Sequence, residues 1–248
     1  SRASTRTNRQ PNQPMQPTQD YDQFIQAKSR KPQSHGFEPM PFTAPLFDWQ
    51  AHVVTWAVKQ GRAALFEDCG LGKTIQQLEW ANQVKLKTSG KVLILTPLAV
   101  AHQTASEAAQ FGISATVVES GEQCTATGIY ITNYEKLDKF NAADFAGVVL
   151  DESSILKNFT GKTRKKLTEE FANTLYRLAC TATPAPNDYM EFGQHAEFLG
   201  VMPSNEMLSR WFINDTMNFG SYRLKGHAEA DFWKWVSTWA ACISNPAD

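Results

Sequence analysis

From about Leu46 to Asn187 the chain alternates between two hydrophobic periods. Short, nearly uninterrupted apolar runs lie at 63–66, 91–97, 115–118, 129–132, 148–151 and 177–181. Their length, and the glycine and polar residues around them, predict strands of the kind buried on both faces in a parallel sheet. Between the runs the apolar residues recur at three- and four-residue spacing. One helix opens at Phe47-Asp48-Trp49-Gln50, turns Val53, Val54, Trp56 and Ala57 to one face and ends at Gly61; another carries Ile75, Leu78 and Trp80, and a third Val100, Gln103, Ala108 and Phe111. Strands alternating with helices predict an α/β fold, a central, mostly parallel sheet flanked by helices. In a doubly wound sheet of this kind ligands gather at the carboxyl ends of the strands.

The flanks read differently. Residues 1–20 are Gln, Asn, Pro, Thr and Arg with almost nothing apolar, a composition that cannot offset the entropy of ordering. A short helix is expected over 21–31, after which Pro32, Gly36, Pro39, Pro41 and Pro45 impose an extended lead-in. Beyond Asp188 helical patterns run over 189–199 and 205–212, then a loop with Gly220 and Gly226, then a last helix over 229–243. The stripe Phe232, Trp235, Val236 and Trp239 has helical spacing and favours core packing over base stacking, with exposure toward a missing domain as the alternative. The expected organisation is a loosely structured segment at 1–36, a nucleotide-binding α/β domain at 37–200 and a helical extension at 201–248.

Composition narrows the function classes. With 248 residues, 42% of them hydrophobic and 20% charged, the chain can bury a core, and a formal net charge of −1 confines any nucleic-acid contact to local basic patches. The four cysteines stand more than fifty residues apart without a CxxC pair, which argues against a zinc site or disulfide framework and for a reducing cytosol. No apolar run approaches the ~20 residues of a membrane span.

The candidate chemistry sits where strands end. The run 63–66 empties into Glu67-Asp68-Cys69-Gly70-Leu71-Gly72-Lys73-Thr74, followed by a helix. Gly70 and Gly72 let the backbone approach a phosphate, and the helix N-terminus adds partial positive charge. Lys73 then reaches the β and γ phosphates and the Thr74 hydroxyl holds Mg²⁺, although the full G-x-x-x-x-G-K-[ST] pattern wants Gly where Glu67 stands. Asp151 and Glu152 close another strand. Adjacent carboxylates there are costly unless a cation or partner meets them. Asp151 is suited to hold Mg²⁺ and Glu152 to deprotonate a water attacking the γ-phosphate; a helix cap or surface pair is the plainer reading. Gln50 is either a surface side chain or an adenine reader, since its amide both donates and accepts. The basic run Lys162, Arg164, Lys165 and Lys166 favours a solvated helix face over phosphate contact. Thr181-Ala182-Thr183-Pro184 ends a strand abruptly, with two hydroxyls to couple the site to a neighbouring surface.

Taken in order, these residues resemble the first motor domain of superfamily-two helicases, and within them the Swi/Snf-like ATPases of bacteria and their phages. Gln50 matches the adenine-reading Gln of that family. Asp68-Cys69-Gly70-Leu71-Gly72-Lys73-Thr74 is similar to its phosphate loop (Walker A), which also lacks the first Gly. Thr96-Pro97 and Thr132-Asn133-Tyr134-Glu135 resemble its strand-tracking motifs. Asp151-Glu152-Ser153-Ser154 stands in place of the DEAH-type box, with two serines for the commoner Ala-His; Lys157-Asn158 echoes the segment after it, and Thr181 and Thr183 match the motif that couples hydrolysis to movement. The resemblance implies a RecA-like P-loop NTPase fold, ATP and Mg²⁺ as cofactors, with Lys73, Asp151 and Glu152 catalytic and Thr74 and Asp151 on the metal. It implies double-stranded DNA as partner, met through Thr96, Pro97, Thr132, Asn133, Lys157 and Lys162, and a bacterial or phage-infected cytosol. The function it implies is the ATP-binding lobe of a DNA-dependent ATPase or translocase. Its second RecA-like lobe, with Q-x-x-G-R-x-x-R-like residues, has no counterpart later in the sequence, so a fragment or isolated lobe with weak turnover is expected. The alternatives are a nucleotide- or DNA-binding module with negligible turnover, and an RNA helicase lobe.

Overall fold

A computed structural model describes residues 34–68, 70–185, 188–215, 217 and 221–244, so the short helix expected over 21–31 lies outside the described residues. In chain order the elements are α1 (Asp48–Gln60), β1 (Arg62–Glu67), α2 (Lys73–Thr88), β2 (Lys91–Thr96), α3 (Ala101–Gln110), β3 (Ala115–Val117), β4 (Gly128–Asn133), β5 (Gly147–Asp151), α4 (Gly161–Glu170) and β6 (Tyr176–Thr181). There follow α5 (Tyr189–Phe198), α6 (Ser204–Trp211), β7 (Phe212–Asp215), β8 (Ser221–Leu224), α7 (Glu229–Ser237) and β9 (Ala240–Ile243). Seven strands form one sheet in the order β3-β4-β2-β5-β6-β1-β9, every pairing parallel.

The alternation of strand side chains divides the interior in two. Ala63 and Leu65 of β1, Val92 and Ile94 of β2 and Leu178 of β6 enter the core under α1, α2 and α3. Their neighbours Ala64, Phe66, Leu93, Leu95 and Ala179 enter the core on the other face, with Phe192, Met207, Trp211 and Phe232 from α5, α6 and α7. Both faces are dry, which is why these strands read as unbroken apolar runs. α1 stops where Gly61 takes φ +74°, and a Cβ there would meet the Gly36 nitrogen at 2.7 Å, so glycine is required twice over.

Helix α2 departs from a simple amphipathic pattern. Gln76, Gln77, Glu79, Asn82 and Gln83 are buried along with Leu78, Trp80 and Val84. Part of this polar face serves the proline-rich lead-in, which supplies no sheet partner for its own N–H groups. Met40 N–H donates to Gln83 Oε1 (2.8 Å), and Thr43 and Ala44 N–H donate to the Glu79 carboxylate (3.2 and 3.0 Å). The extended lead-in is thereby bound along α2 by side chains in place of a neighbouring strand.

Two expectations for the C-terminal part are corrected. The helix expected over 229–243 ends at Ser237, and Ala240–Ile243 forms β9, paired with β1 from Ala64↔Ala240 to Glu67↔Ile243. A four-residue apolar run has no readable period; the open edge of β1 decides its state. Phe212–Asp215 and Ser221–Leu224, on either side of the expected loop, are antiparallel strands in register Phe212↔Leu224, while Gly220 itself lies outside the described residues. The aromatic stripe is core: Phe232 and Trp239 are fully buried, Phe232 lying edge-on to Phe212 at 5.1 Å and Trp239 to Phe66 at 6.0 Å. Among the described residues no helix is long and apolar enough to cross a membrane.

Replacing Phe232 by Ala should lower the free energy of unfolding by about 3–5 kcal/mol, whereas Leu86→Ala on the exposed side of α2 should change it by about 1 kcal/mol or less. Denaturant unfolding of both variants checks the assignment of α7 to the core.

Candidate functional site

The sheet delivers its polar residues to one edge. At the end of β1 the chain turns through Gly70 (φ +86°) and Gly72 (φ +77°) before entering α2. Both are left-handed positions that side chains rarely adopt, and a Cβ on Gly72 would lie 2.6 Å from Gln50 Nε2. Gln50 is buried beneath the loop. Its Oε1 accepts from Phe47 N–H (3.0 Å) and its Nε2 donates to Leu71 O (3.0 Å), so the amide joins the start of α1 to the phosphate loop. Gln76 Nε2 supports the same loop, 2.9 Å from Glu67 Oε2 and 3.2 Å from the carbonyls of Leu71 and Gly72. Asp68 is held by β9, its N–H donating to Ile243 O (3.2 Å); Cys69 lies outside the described residues. Thr74 stands half-buried in the first turn of α2.

Three carboxyl groups face one ammonium. Lys73 Nζ lies 3.4 Å from Glu67 O and 3.6 Å from Glu152 Oε1. Burial pushes the Glu67 carboxyl up to about 7, against the Gln76 hydrogen bond and the charge of Lys73. Asp151 is pushed up to about 6 by burial and then by Glu152, with the Gln77 amide and Lys73 opposing. Glu152, half-exposed, takes φ +49°, a conformation costing a non-glycine residue about 1–2 kcal/mol. Strain of this kind collects at sites that need a side chain aimed in one direction.

The neighbouring strand ends brace these groups. Tyr134 O–H donates to Asp151 O (2.7 Å), and Thr183 Oγ1 donates to Phe66 O (3.2 Å), linking the segment after β6 to the strand of the phosphate loop. Behind Glu152, Ser153 Oγ lies 2.7 Å from His195 Nε2, and His195 Nδ1 lies 2.8 Å from Glu191 O. A carbonyl only accepts, so Nδ1 carries the hydrogen and bare Nε2 accepts from Ser153. Burial lowers the His195 pKa to about 4, keeping the ring neutral near pH 7.

The residues expected to meet nucleic acid divide by exposure. Thr96, Thr132 and Asn133 are buried; Thr96 O–H donates to Pro97 O (3.0 Å), while Thr132 Oγ1 and Asn133 Oδ1 have no protein hydrogen-bond partner. Pro97 is half-buried beside exposed Leu98. Lys157 Nζ pairs with Asp188 (2.9 Å) and Glu191 (3.1 Å), hydrogen bonds that raise its pKa. Lys165 and Lys166 pair with acids on or near α4, whereas Lys162 is exposed and has no ion pair among the described residues. Thr181 is buried, its hydroxyl also without a protein partner. Among the described residues no cluster of His, Cys, Asp and Glu could alone hold a metal.

Sequence reasoning missed the buried acid character of Glu67, the loop-bracing amide of Gln76, and His195. A lone His among Phe192, Ala196 and Leu199 on an apolar helix face was the available signal for the last of these.

The fold and the family have known counterparts. No curated protein matches the sequence significantly. The Sulfolobus solfataricus SWI2/SNF2 ATPase core domain superimposes with a TM-score of 0.66 at 22% identity over 84% of this chain and 45% of that one. The same core in complex with dsDNA gives 0.64 at 21% identity, covering 84% and 46%. The UvsW helicase from bacteriophage T4 gives 0.53 at 14% identity, covering 74% and 65%. These likenesses show a RecA-like fold, and the chain spans less than half the length of the SWI2/SNF2 cores it matches. The SNF2-related domain family matches residues 49–219, more than half of the sequence. The chain belongs to the SNF2-related domain family.

Proposed function

We propose that this domain is the ATP-binding lobe of a DNA-dependent ATPase or translocase, which hydrolyses ATP to move on nucleic acid when a second lobe closes over the site. The observation that carries this reading is the convergence of Lys73, Asp151 and Glu152 at one sheet edge, beside a loop turned by two left-handed glycines. The residues fit a magnesium nucleotide. Glu67 Oε1 is buried without a protein partner, Asp151 is buried with its carboxyl pushed up, and the ammonium at hand is shared with Glu152. Added positive charge at Asp151 and added negative charge at Lys73 would relieve both.

In this reading Gly70 to Thr74 present backbone N–H groups to the phosphates, and Lys73 leaves Glu152 to neutralise them. Thr74 and Asp151 would hold Mg²⁺, which supplies charge neutralisation on the phosphate oxygens. Glu152, released from Lys73, accepts the proton of the attacking water. Gln50 has one amide hydrogen and one lone pair beyond its two protein bonds, enough to read an adenine edge. Thr183, bonded to Phe66 O, and buried Thr181 would pass the state of the site to the segment beyond β6.

Double-stranded DNA is the favoured partner because the Sulfolobus core of like fold was solved with dsDNA, and Lys162 is an exposed cation with no ion pair among the described residues. The buried hydroxyls of Thr96 and Thr132 would need a rearranged strand-end segment to reach DNA. A second reading, a binding module with negligible turnover, is favoured by coverage of less than half of the related cores, since an arginine supplied by a partner lobe can contribute 10³–10⁵-fold in rate, roughly.

Mg-ATP binding and turnover, with and without duplex DNA, single-stranded DNA or RNA, test the assignment. Binding with weak, duplex-stimulated turnover is expected; stimulation by RNA alone would overturn the DNA assignment. Lys73→Ala should weaken Mg-ATP binding by roughly 10–100-fold or more, whereas Glu152→Gln should retain binding, tightened several-fold by the release of Lys73, and remove residual hydrolysis. Unchanged affinity in Lys73→Ala refutes the phosphate-loop role.

The acids of the nucleotide-free site also give a pH dependence. Because Glu67 is raised to about 7 and Asp151 to about 6, the folded state binds more protons than the unfolded one between about pH 4 and 7. Their contribution to stability is full below the unfolded carboxyl values and is lost as pH rises through 6 to 7. Glu67→Gln should therefore stabilise the chain relative to wild type more at pH 8 than at pH 5 in metal-free urea unfolding; an equal difference at both pH values would contradict the burial of an ionisable Glu67.

A further inference from the structure

We propose that His195 is a positioning residue for Glu152: through Ser153 the buried imidazole holds the strained turn that aims this carboxylate, and ties that turn to the strand bearing the phosphate loop. The inference rests on the reading of Glu152 as the group that acts on the attacking water. Glu152 sits in a left-handed conformation that its own sequence does not favour, so neighbouring contacts must hold it there. Two such contacts follow it in the chain. Ile155 N–H donates to Glu152 O (3.0 Å) within the 3-10 turn Ser153–Lys157, and the Ser153 hydroxyl, fully buried, donates to His195.

The other side of the imidazole is equally committed. Its Nδ1–H is bonded to Glu191 O one helical turn back, fixing the ring's tautomer and its orientation on α5. Its edge packs against the Phe66 ring, centroids 5.2 Å apart and planes at 85°. Phe66 immediately precedes Glu67 and the phosphate loop, and its carbonyl receives Thr183. One neutral side chain therefore touches the ends of both strands that carry the site's charges, from beneath and out of reach of solvent. The carboxylates of α5 are bound separately: Lys157, at the far end of the same 3-10 turn, pairs with Glu191 and with Asp188, whose Oδ1 caps the helix by accepting Glu191 N–H (3.4 Å). The turn after Glu152 is thus pinned to α5 at both ends, by a neutral bond at Ser153 and by an ion pair at Lys157. A side chain that only filled space would need neither the hydroxyl nor the second ring nitrogen.

The test compares the 248-residue wild type with His195→Leu, the double variant Ser153→Ala/His195→Leu, and His195→Gln. Each is followed by thermal unfolding, by the backbone amide resonance of Glu152, and by Mg-ATP affinity with and without Glu152→Gln. His195→Leu strands a buried hydroxyl and should lower Tm; the double variant removes that hydroxyl and should recover most of the loss. In both, the Glu152 amide should shift or broaden. In wild type Glu152→Gln frees Lys73 and should tighten Mg-ATP binding several-fold, an effect that should vanish once the turn is unpinned. His195→Gln, whose amide oxygen can accept from Ser153, should move the resonance back toward wild type. A double variant with the wild-type Glu152 resonance and the full Glu152→Gln effect would overturn the proposal and leave His195 as packing. Failure of the nucleotide reading is distinct: wild type then binds no Mg-ATP, and the amide resonance still decides the role of His195.

Discussion

Every strand of the main sheet runs the same way, and this direction determines where chemistry can occur. A parallel pair cannot be closed by a tight turn, so each strand is followed by a crossover that covers a face of the sheet. Both faces become dry, and polar side chains are tolerated chiefly at the strand ends. The inner strands β2, β5, β6 and β1 finish at Thr96, Asp151, Thr181 and Glu67 as neighbours along one edge. With strands about 4.8 Å apart, Asp151 and Glu67 stand roughly 10 Å from each other across β6. Neither acid can bridge that gap. Lys73, projecting from the start of α2, lies against the backbone of Glu67 and the carboxylate of Glu152 and spans it.

The electrostatics of that edge are decided by desolvation more than by attraction. Glu67 has an ammonium nearby and an amide bonded to it, yet its pKa moves upward, because a fully buried carboxylate loses more hydration than these two partners return. Asp151 follows the same rule with an additional acid beside it. Glu152 differs in placement, its side chain remaining half in solvent. The site is therefore graded: two buried acids that hold protons readily and one open acid that pairs loosely with Lys73. In the proposed reading the group that accepts a proton from water needs the open position, and the left-handed turn at Glu152 provides it at the expense of backbone strain.

Most of the fold was legible in the sequence, for reasons of period and spacing. Unbroken apolar runs announced strands buried on both faces, and Gly70 and Gly72 announced a tight, left-handed turn between β1 and α2. What escaped depended on partners distant in sequence. Ala240–Ile243 is a strand only because β1 has a free edge. Glu79 and Gln83 of α2 are buried because they accept the N–H groups of the lead-in, which a helical period cannot show. Lys157, expected from the resemblance to meet nucleic acid, is paired with Asp188 and Glu191, which follow some thirty residues later. His195 carried no local sign of its bond to Ser153, forty-two residues away.

The two edges of the sheet also hold buried polar groups of different kinds. At the amino edge Arg177 is buried with no ion pair among the described residues, yet its guanidinium donates to the carbonyls of Thr174 (2.7 Å), Phe198 (2.8 Å) and Ala172 (2.5 Å). Its pKa falls to about 10 through burial and the nearby Arg62, which leaves it charged at neutral pH. That edge joins the chain following α4 to the end of α5 through a cation with its donors matched to acceptors. At the carboxyl edge Glu67 Oε1, Thr132 Oγ1, Asn133 Oδ1 and Thr181 Oγ1 are buried without protein partners. Each such atom costs roughly 1–3 kcal/mol, a loss that packing elsewhere must offset. Such atoms are not confined to that edge, since Glu170 Oε2 at the end of α4 and Trp239 Nε1 just before β9 are also buried without a partner among the described residues. In the proposed reading the atoms at the carboxyl edge are the ones placed to complete their hydrogen bonds when a phosphate, a metal or a second lobe meets the strand ends.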